Sequence, residues 1–308
     1  MNERVKIVAA YAGMVLIWST TWLAIKWGLA YMPPLQGVGL RYLIAGLFVL
    51  AIARVAGARP PRGREAWRVV GVTSVALFGL NYALTYFAEE HISSGLTAVL
   101  FGTAPFWIMI FAYFLAGESL TARKVTGSLL ALAGVAAISF AGTQHGTLVG
   151  VAEILAAALL AAFGNVYIKR HQEHAQPLVV IPPAMLISAL TFGTLGWFLE
   201  PHDARAFAIP SLAALGYLSL FGSGIAFLLN YMLLRRLPAS TVGLSGLMIP
   251  VVAVIIGVAG AGERFTLQDA MGAALVLAGI ALALAGAKGG AGGRRRPPSV
   301  ETAPANAG

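Results

Sequence analysis

Ten apolar runs of about 20 residues each nearly exhaust this chain and leave lipid as the only solvent able to cover its outer face. An α-helix rises 1.5 Å per residue, so a run of that length crosses about 30 Å of hydrocarbon. The runs cover residues 7–29, 35–55, 69–88, 94–115, 125–141, 151–168, 178–199, 211–234, 240–261 and 270–287. Across 308 residues, 58% are apolar and only 11% charged, with a mean hydropathy of +0.81. A water-soluble domain of this size needs far more charge on its surface. The predicted fold class is therefore an all-α polytopic membrane protein with ten transmembrane helices. Short connections make consecutive helices antiparallel neighbours. The basic start and first apolar run resemble a signal peptide. They lack a small-residue cleavage site and run on through Trp18, Trp22 and Trp27, so they are read as an uncleaved first span.

The net charge of +9 is explained by topology and gives no nucleic-acid surface, because the basic residues lie between apolar runs and form no stripe. Cytoplasmic loops of membrane proteins carry an excess of Lys and Arg. With the N-terminus inside, the inner side holds Arg4, Lys6, Arg54, Arg59, Arg62, Arg64, Arg68, Arg123, Lys124, Lys169, Arg170, Arg235, Arg236, Lys288, Arg294, Arg295 and Arg296. The outer side holds Arg205 and Arg264, and Lys26 and Arg41 are embedded. Both termini are thus expected in the cytoplasm of a bacterial-type cell, with the protein in the inner membrane. Residues 288–308, rich in Gly, Pro and Ala, are expected to form a disordered basic tail.

The halves match at a fixed shift. Pro105, Gly117, Glu118, Thr121, Gly127 and Gly134 recur 145 residues later as Pro250, Gly262, Glu263, Thr266, Gly272 and Gly279. Earlier in each half the shift is 143: Ile25-Lys26 matches Ile168-Lys169, Pro34-Leu35 matches Pro177-Leu178, and Leu77-Phe78-Gly79 matches Leu220-Phe221-Gly222. The shared order of Pro, Gly-Glu and two Gly makes chance agreement a poor account. Five spans is an odd number, so a second copy enters the membrane upside down. The expected organisation is residues 1–142 and 143–287 as inverted five-helix repeats around a central cavity, a recurrent plan of secondary transporters.

The stretch from Trp18 to Lys26 (WSTTWLAIK), followed by Pro33-Pro34-Leu35 and Leu40-Arg41-Tyr42, resembles the first helix pair of the EamA-type branch of the drug/metabolite transporter superfamily. Ser94-Gly95-Leu96-Thr97-Ala98, Pro105 and Gly117-Glu118 resemble that family's fourth helix, and Ala239-Ser240-Thr241, Pro250 and Gly262-Glu263 its counterpart. The resemblance covers everything but the tail. It implies ten helices in a 5+5 inverted fold, a central cavity, and export of metabolites such as amino acids, aromatic ones included. The runner-up function is export of drugs or nucleoside-like solutes. An intramembrane enzyme or sensor is a different class. The spans contain no HExxH, Gly-x-Ser-x-Gly, phosphate loop or paired catalytic Asp, and the loops leave a sensor little to signal with. No cofactor or metal is implied. There is no Cys for a disulfide or thiolate site, and the five His lie in loops or at their edges. The partners expected are a small-molecule solute and the bilayer, with the chain able to close its own cavity as a monomer.

Polar groups in hydrocarbon are costly, so embedded ones are the candidate site residues. Lys26 either snorkels to the outer headgroups or faces the cavity. Arg41 either pairs with Glu89 or Glu90, or joins Lys26 in making the cavity positive. Trp18 and Trp22, one turn apart, either face lipid or offer the cavity an aromatic wall that Phe78, Tyr82, Tyr86 and Trp107 extend. Asn81, Asn165, Asn230 and Tyr231 serve interhelical hydrogen bonding or substrate contact. Pro105 and Pro250 near mid-span remove backbone donors and are candidate paired hinges. Glu118 and Glu263 are expected to cap the following helix. Spans one, three, four, six, eight and nine are expected to line the cavity. The spans carry no acid at mid-depth, which argues against proton antiport and for a facilitator.

Overall fold

The computed structural model describes residues 2–92, 97, 100–139, 147–249, 251–252 and 267–289. Pro250, Glu263, the 93–96 part of the fourth-span motif and the tail beyond residue 289 lie outside these. Every described element is helical. We number them α1 (Glu3–Leu29), α2 (Pro34–Val55), α3 (Gly63–His91), α4 (Ala104–Ala116), α5 (Ala122–Ser139), α6 (Leu148–Arg170), α7 (Pro177–Leu199), α8 (Ile209–Arg236), α9 (Ala239–Ile249) and α10 (Leu267–Gly289). Among the described residues, α1, α2, α3, α6, α7 and α8 are long and apolar enough to cross a membrane. The protein is a multi-pass, all-helical membrane protein.

Local chemistry sets the helix ends. The Asn2 side chain accepts from the Arg4 amide at the start of α1, and Thr147 accepts from Gly150 at the start of α6. Pro34 and Pro177 open α2 and α7, where the missing N–H has no intrahelical partner to lose. Gly117 ends α4 at φ +66°, a left-handed conformation that Gly adopts at little cost.

Two helix pairs touch backbone to backbone. On α2, a Cβ added to Gly39 would stand 2.5 Å from Gly193 Cα of α7, and one added to Gly46 would stand 2.9 Å from Leu186 Cδ2. A Cβ on Gly196 would meet the Gln36 amide at 2.7 Å. Positions rise along α2 as they fall along α7, so the pair is antiparallel. The same holds for α5 and α10: a Cβ on Gly127 would sit 2.5 Å from the Gly279 carbonyl, and one on Gly134 2.6 Å from the Gly272 carbonyl. Small residues permit this approach, and in lipid close packing replaces hydrophobic drive as the source of helix association.

Both α3 and α8 contain a π-helical turn, over Thr73–Gly79 and Leu218–Ile225. These contain the matching triplets Leu77-Phe78-Gly79 and Leu220-Phe221-Gly222. Such turns shift hydrogen bonding out of the i−4 ladder and are found disproportionately at functional sites.

Candidate functional site

Between the helices lies a cavity of about 850 Å³, solvent at its mouth included. Its lining comes from α1, α3, α4 and the residues just before it, α6, α8 and α9, the six helices the sequence assigns to a cavity. One wall is aromatic. Phe227 of α8 packs against Trp18 (ring centroids 5.5 Å), Phe78 (4.7 Å) and Tyr82 (6.1 Å). Trp22 meets Phe101 edge-on at 5.5 Å. Edge-to-face contacts of this kind add to the area each ring buries. The π turn of α8 takes part directly, because Trp18 Nε1 donates to the Gly222 carbonyl at 3.2 Å.

Amides supply the polar lining. Asn230 Nδ2 donates to Asn165 Oδ1 at 2.9 Å, and Asn165 Nδ2 donates to the Ala161 carbonyl at 2.8 Å. Asn81 Nδ2 donates to the Leu77 carbonyl at 3.2 Å. Among the described residues, the buried Asn81 Oδ1 and Trp22 Nε1 have no hydrogen-bond partner.

Trp18, Trp22, Asn81, Tyr82, Asn165 and Asn230 line the cavity together. Phe78, Tyr86 and Tyr231 are buried behind the wall, and the Tyr231 hydroxyl donates to Thr73 Oγ1 at 3.1 Å. Trp107 packs on the core and is not part of the lining. Lys26 Nζ donates to the Glu89 main-chain carbonyl at 2.7 Å, at the C-terminal ends of α1 and α3. Pro105 stands in the first turn of α4, after a break at Gly102 and Thr103, and not inside a continuous helix. Pro250 lies outside the described residues.

Arg41 requires a correction. It is fully buried, and its partner is neither Glu89 nor Glu90. Its Nε donates to Ser223 Oγ at 2.7 Å, Nη1 reaches the Tyr86 hydroxyl at 3.4 Å, and its guanidinium carbon stands 4.5 Å from the centre of the Tyr82 ring. Two hydroxyls and an aromatic face take the place of a carboxylate. The cation is therefore screened from the cavity by Tyr82. Among the described residues, no Asp, Glu, Lys, Arg or His side chain lines the cavity.

Glu118 caps a helix, but not the following one. Its carboxylate accepts from the Ala239 amide at 2.7 Å and from Ser240 at the start of α9, while Thr121 Oγ1 accepts from Lys124 N at the start of α5. Lys124 Nζ lies 3.8 Å from Glu118 and donates to Ser240 Oγ.

The EamA-like transporter family model matches residues 5–140 and again 148–285. The chain belongs to the EamA-like transporter family. Its relatives include the uncharacterized transporter YvbV of Bacillus subtilis, 28% identical over 272 residues and covering 88% of this chain and 89% of that one. The uncharacterized inner membrane transporter YedA of Escherichia coli is 27% identical over 292 residues, covering 92% of each chain. A solved crystal structure superimposes with a TM-score of 0.79 at 21% identity, covering 92% of this chain and 98% of that one. That likeness establishes the fold. As an EamA-like transporter, the protein handles a small-molecule solute in a lipid environment.

Phe227 and Phe101 escape the sequence reading. In a chain where most residues are apolar, an apolar residue facing a cavity looks like one facing lipid.

Proposed function

We propose that this EamA-like transporter moves small organic metabolites out of the cell by alternating access, with amino acids, aromatic and apolar ones included, as the leading substrate class. The observation that carries the reading is the cavity itself, walled by Trp18, Trp22, Phe101, Phe227 and Tyr82 and edged by Asn81, Asn165 and Asn230. Aromatic faces accept an apolar or aromatic side chain, and amides offer both donors and acceptors to its polar end.

The architecture proposed is ten transmembrane helices in two inverted five-helix repeats, residues 1–142 and 143–287. Both termini and the tail 288–308 face the cytoplasm of a bacterial-type inner membrane. Three observations support it. The family match falls on two successive segments. The helices that pair backbone to backbone, α2 with α7 and α5 with α10, are repeat mates and run antiparallel. Repeat mates Lys26 and Lys169 donate to equivalent carbonyls, Glu89 at 2.7 Å and Leu234 at 2.8 Å. Near-equivalent packings in the two halves let the cavity face either side by exchange. Pro105 and Pro250 remain the proposed hinges, and no catalytic role is assigned to any residue.

The uncharged lining favours one second reading, a broad exporter of drugs or nucleoside-like solutes. A zwitterion finds no fixed counter-charge among these residues, and an isolated charge in low dielectric is costly. Counterflow into proteoliposomes tests both. Preloaded aromatic amino acids are expected to drive uptake of the labelled solute. Exchange of uncharged heterocycles alone would favour the second reading, and no exchange of either class would reject both.

A further inference from the structure

The outer ends of α1, α2 and α3 gather three ionisable side chains that the cavity does not use. Glu89 is fully buried, and among the described residues neither carboxyl oxygen has a hydrogen-bond partner. Among the described residues no cation stands within ion-pair distance of it. The cations nearby are engaged elsewhere. Lys26 Nζ is bonded to the main-chain oxygen of Glu89 and not to its carboxyl group. Arg41 is bonded to Ser223 and Tyr86. Of the other charged groups around this end, His91 of α3 is bonded to Glu153 of α6 at 2.9 Å. Glu200, after α7, accepts from the Leu35 and Gln36 amides at the start of α2. Glu90 is exposed.

We propose that Glu89 is a proton-binding site, held as the uncharged acid while the end of α3 is packed against α1 and α2, and ionised when that end parts from them. A buried carboxylate without a donor or counter-ion is among the most expensive groups a protein can hold, so it neutralises instead. The ligand is a proton from water. When the packing opens, the proton leaves to water, and Lys26, already bonded to the same residue's main-chain carbonyl, is the cation nearest the new carboxylate. The proton count therefore differs between two packings of the same end, which makes their balance depend on pH. Because the site lies outside the cavity, this inference does not depend on the identity of the solute.

The test uses the full-length protein in nanodiscs at neutral pH. The infrared spectrum is expected to contain the C=O stretch of a neutral carboxylic acid that E89Q removes and E90Q keeps. Absence of that band from the unaltered protein, or its persistence in E89Q, overturns the proposal. Melting temperature against pH gives a second readout. A carboxyl protonated when folded and ionised when unfolded contributes stability that is lost as pH rises, up to about tenfold in the folding equilibrium per pH unit. The unaltered protein is expected to lose stability between about pH 5 and pH 8, above the ordinary Glu value, and E89Q to lose that slope. Parallel profiles would show that folding leaves the proton count at Glu89 unchanged and sink the idea. Should E89Q fail to fold, the infrared band of the unaltered protein alone decides, since a constant Lys26–Glu89 pair leaves no such band.

Discussion

A single methyl group placed on either side of one helix contact separates two accounts of how this bundle holds together. At Gly39 an added Cβ would stand 2.5 Å from Gly193 Cα and 2.7 Å from Gly193 N. Carbon pairs are at rest about 3.5–4.0 Å apart, and neither obstacle is a side chain that can rotate away. Gly39→Ala therefore forces α2 and α7 apart by on the order of 1 Å. Overpacking of this kind costs about 1–3 kcal/mol. The reciprocal change differs, because a Cβ on Gly193 finds only Gly39 Cα at 3.7 Å, ordinary contact. At Gly71, in the same chain's α3, an added Cβ meets nothing within 4 Å. There the Gly-to-Ala exchange removes backbone freedom from the unfolded chain and gains about 0.5–1 kcal/mol. The assay is the melting temperature of detergent-purified protein, followed by loss of the monodisperse peak after heating. The expected order is Gly71→Ala above the unaltered protein, Gly193→Ala close to it and Gly39→Ala clearly below. Equal effects of Gly39→Ala and Gly193→Ala would refute the packing argument, since helix propensity alone treats the two alike.

Two further outcomes follow from specific bonds. A double-mutant cycle on Asn165→Ala and Asn230→Ala is expected to give a coupling of about 0.5–2 kcal/mol in melting stability, because the 2.9 Å amide bond joins α6 to α8; strict additivity would show that the bond contributes nothing. Glu118→Gln keeps the shape but removes the charge at the start of α9, and is expected to lose about 0.5–2 kcal/mol. Glu118→Ala is expected to lose more, and no loss in Glu118→Gln would mean that the charge is irrelevant.

What the sequence made legible is what lipid imposes on every residue of a segment. Run length set the helices to within a few residues: 35–55 against Pro34–Val55, and 178–199 against Pro177–Leu199. Gly127, Gly134, Gly272 and Gly279 were legible as repeat positions, and they meet backbone to backbone because only a missing side chain allows it. The third span was underestimated, since α3 starts at Gly63, where Arg64, Glu65 and Arg68 make an amphipathic turn that hydropathy reads as loop. The π turns were not legible, because nothing in Thr73–Gly79 or Leu218–Ile225 forbids an ordinary helix; they depend on tertiary bonds such as Trp18 to Gly222. Arg41 was flagged correctly as costly, yet its partner could not be read. A guanidinium can donate to hydroxyls and lie against an aromatic face as well as pair with a carboxylate, and Ser223 stands 182 positions away in the chain. Glu118 was read as a cap because a Gly-Glu pair follows a helix. Which helix it caps depends on how α9 docks, and that is not a local property.

The two lysines at matching places in the halves make the inverted arrangement testable without knowing the solute. Lys26 binds the carbonyl of Glu89, two residues before the end of α3, and Lys169 that of Leu234, two residues before the end of α8. The last carbonyls of a helix lack intrahelical donors, so each ammonium answers a need its own repeat creates. If the repeats are inverted, the two ties lie at opposite faces of the membrane, each holding one mouth shut. Partly exposed charged bonds of this type are worth about 1–2 kcal/mol, which moves a two-state balance by about 5- to 30-fold. The chain has no Cys, so Thr85→Cys in the cavity wall can be labelled by a membrane-impermeant thiol reagent from either side of oriented vesicles. Lys26→Met is expected to raise labelling from one side and Lys169→Met from the other. Movement in the same direction would mean that the two ties share a face, which an inverted pair of repeats forbids.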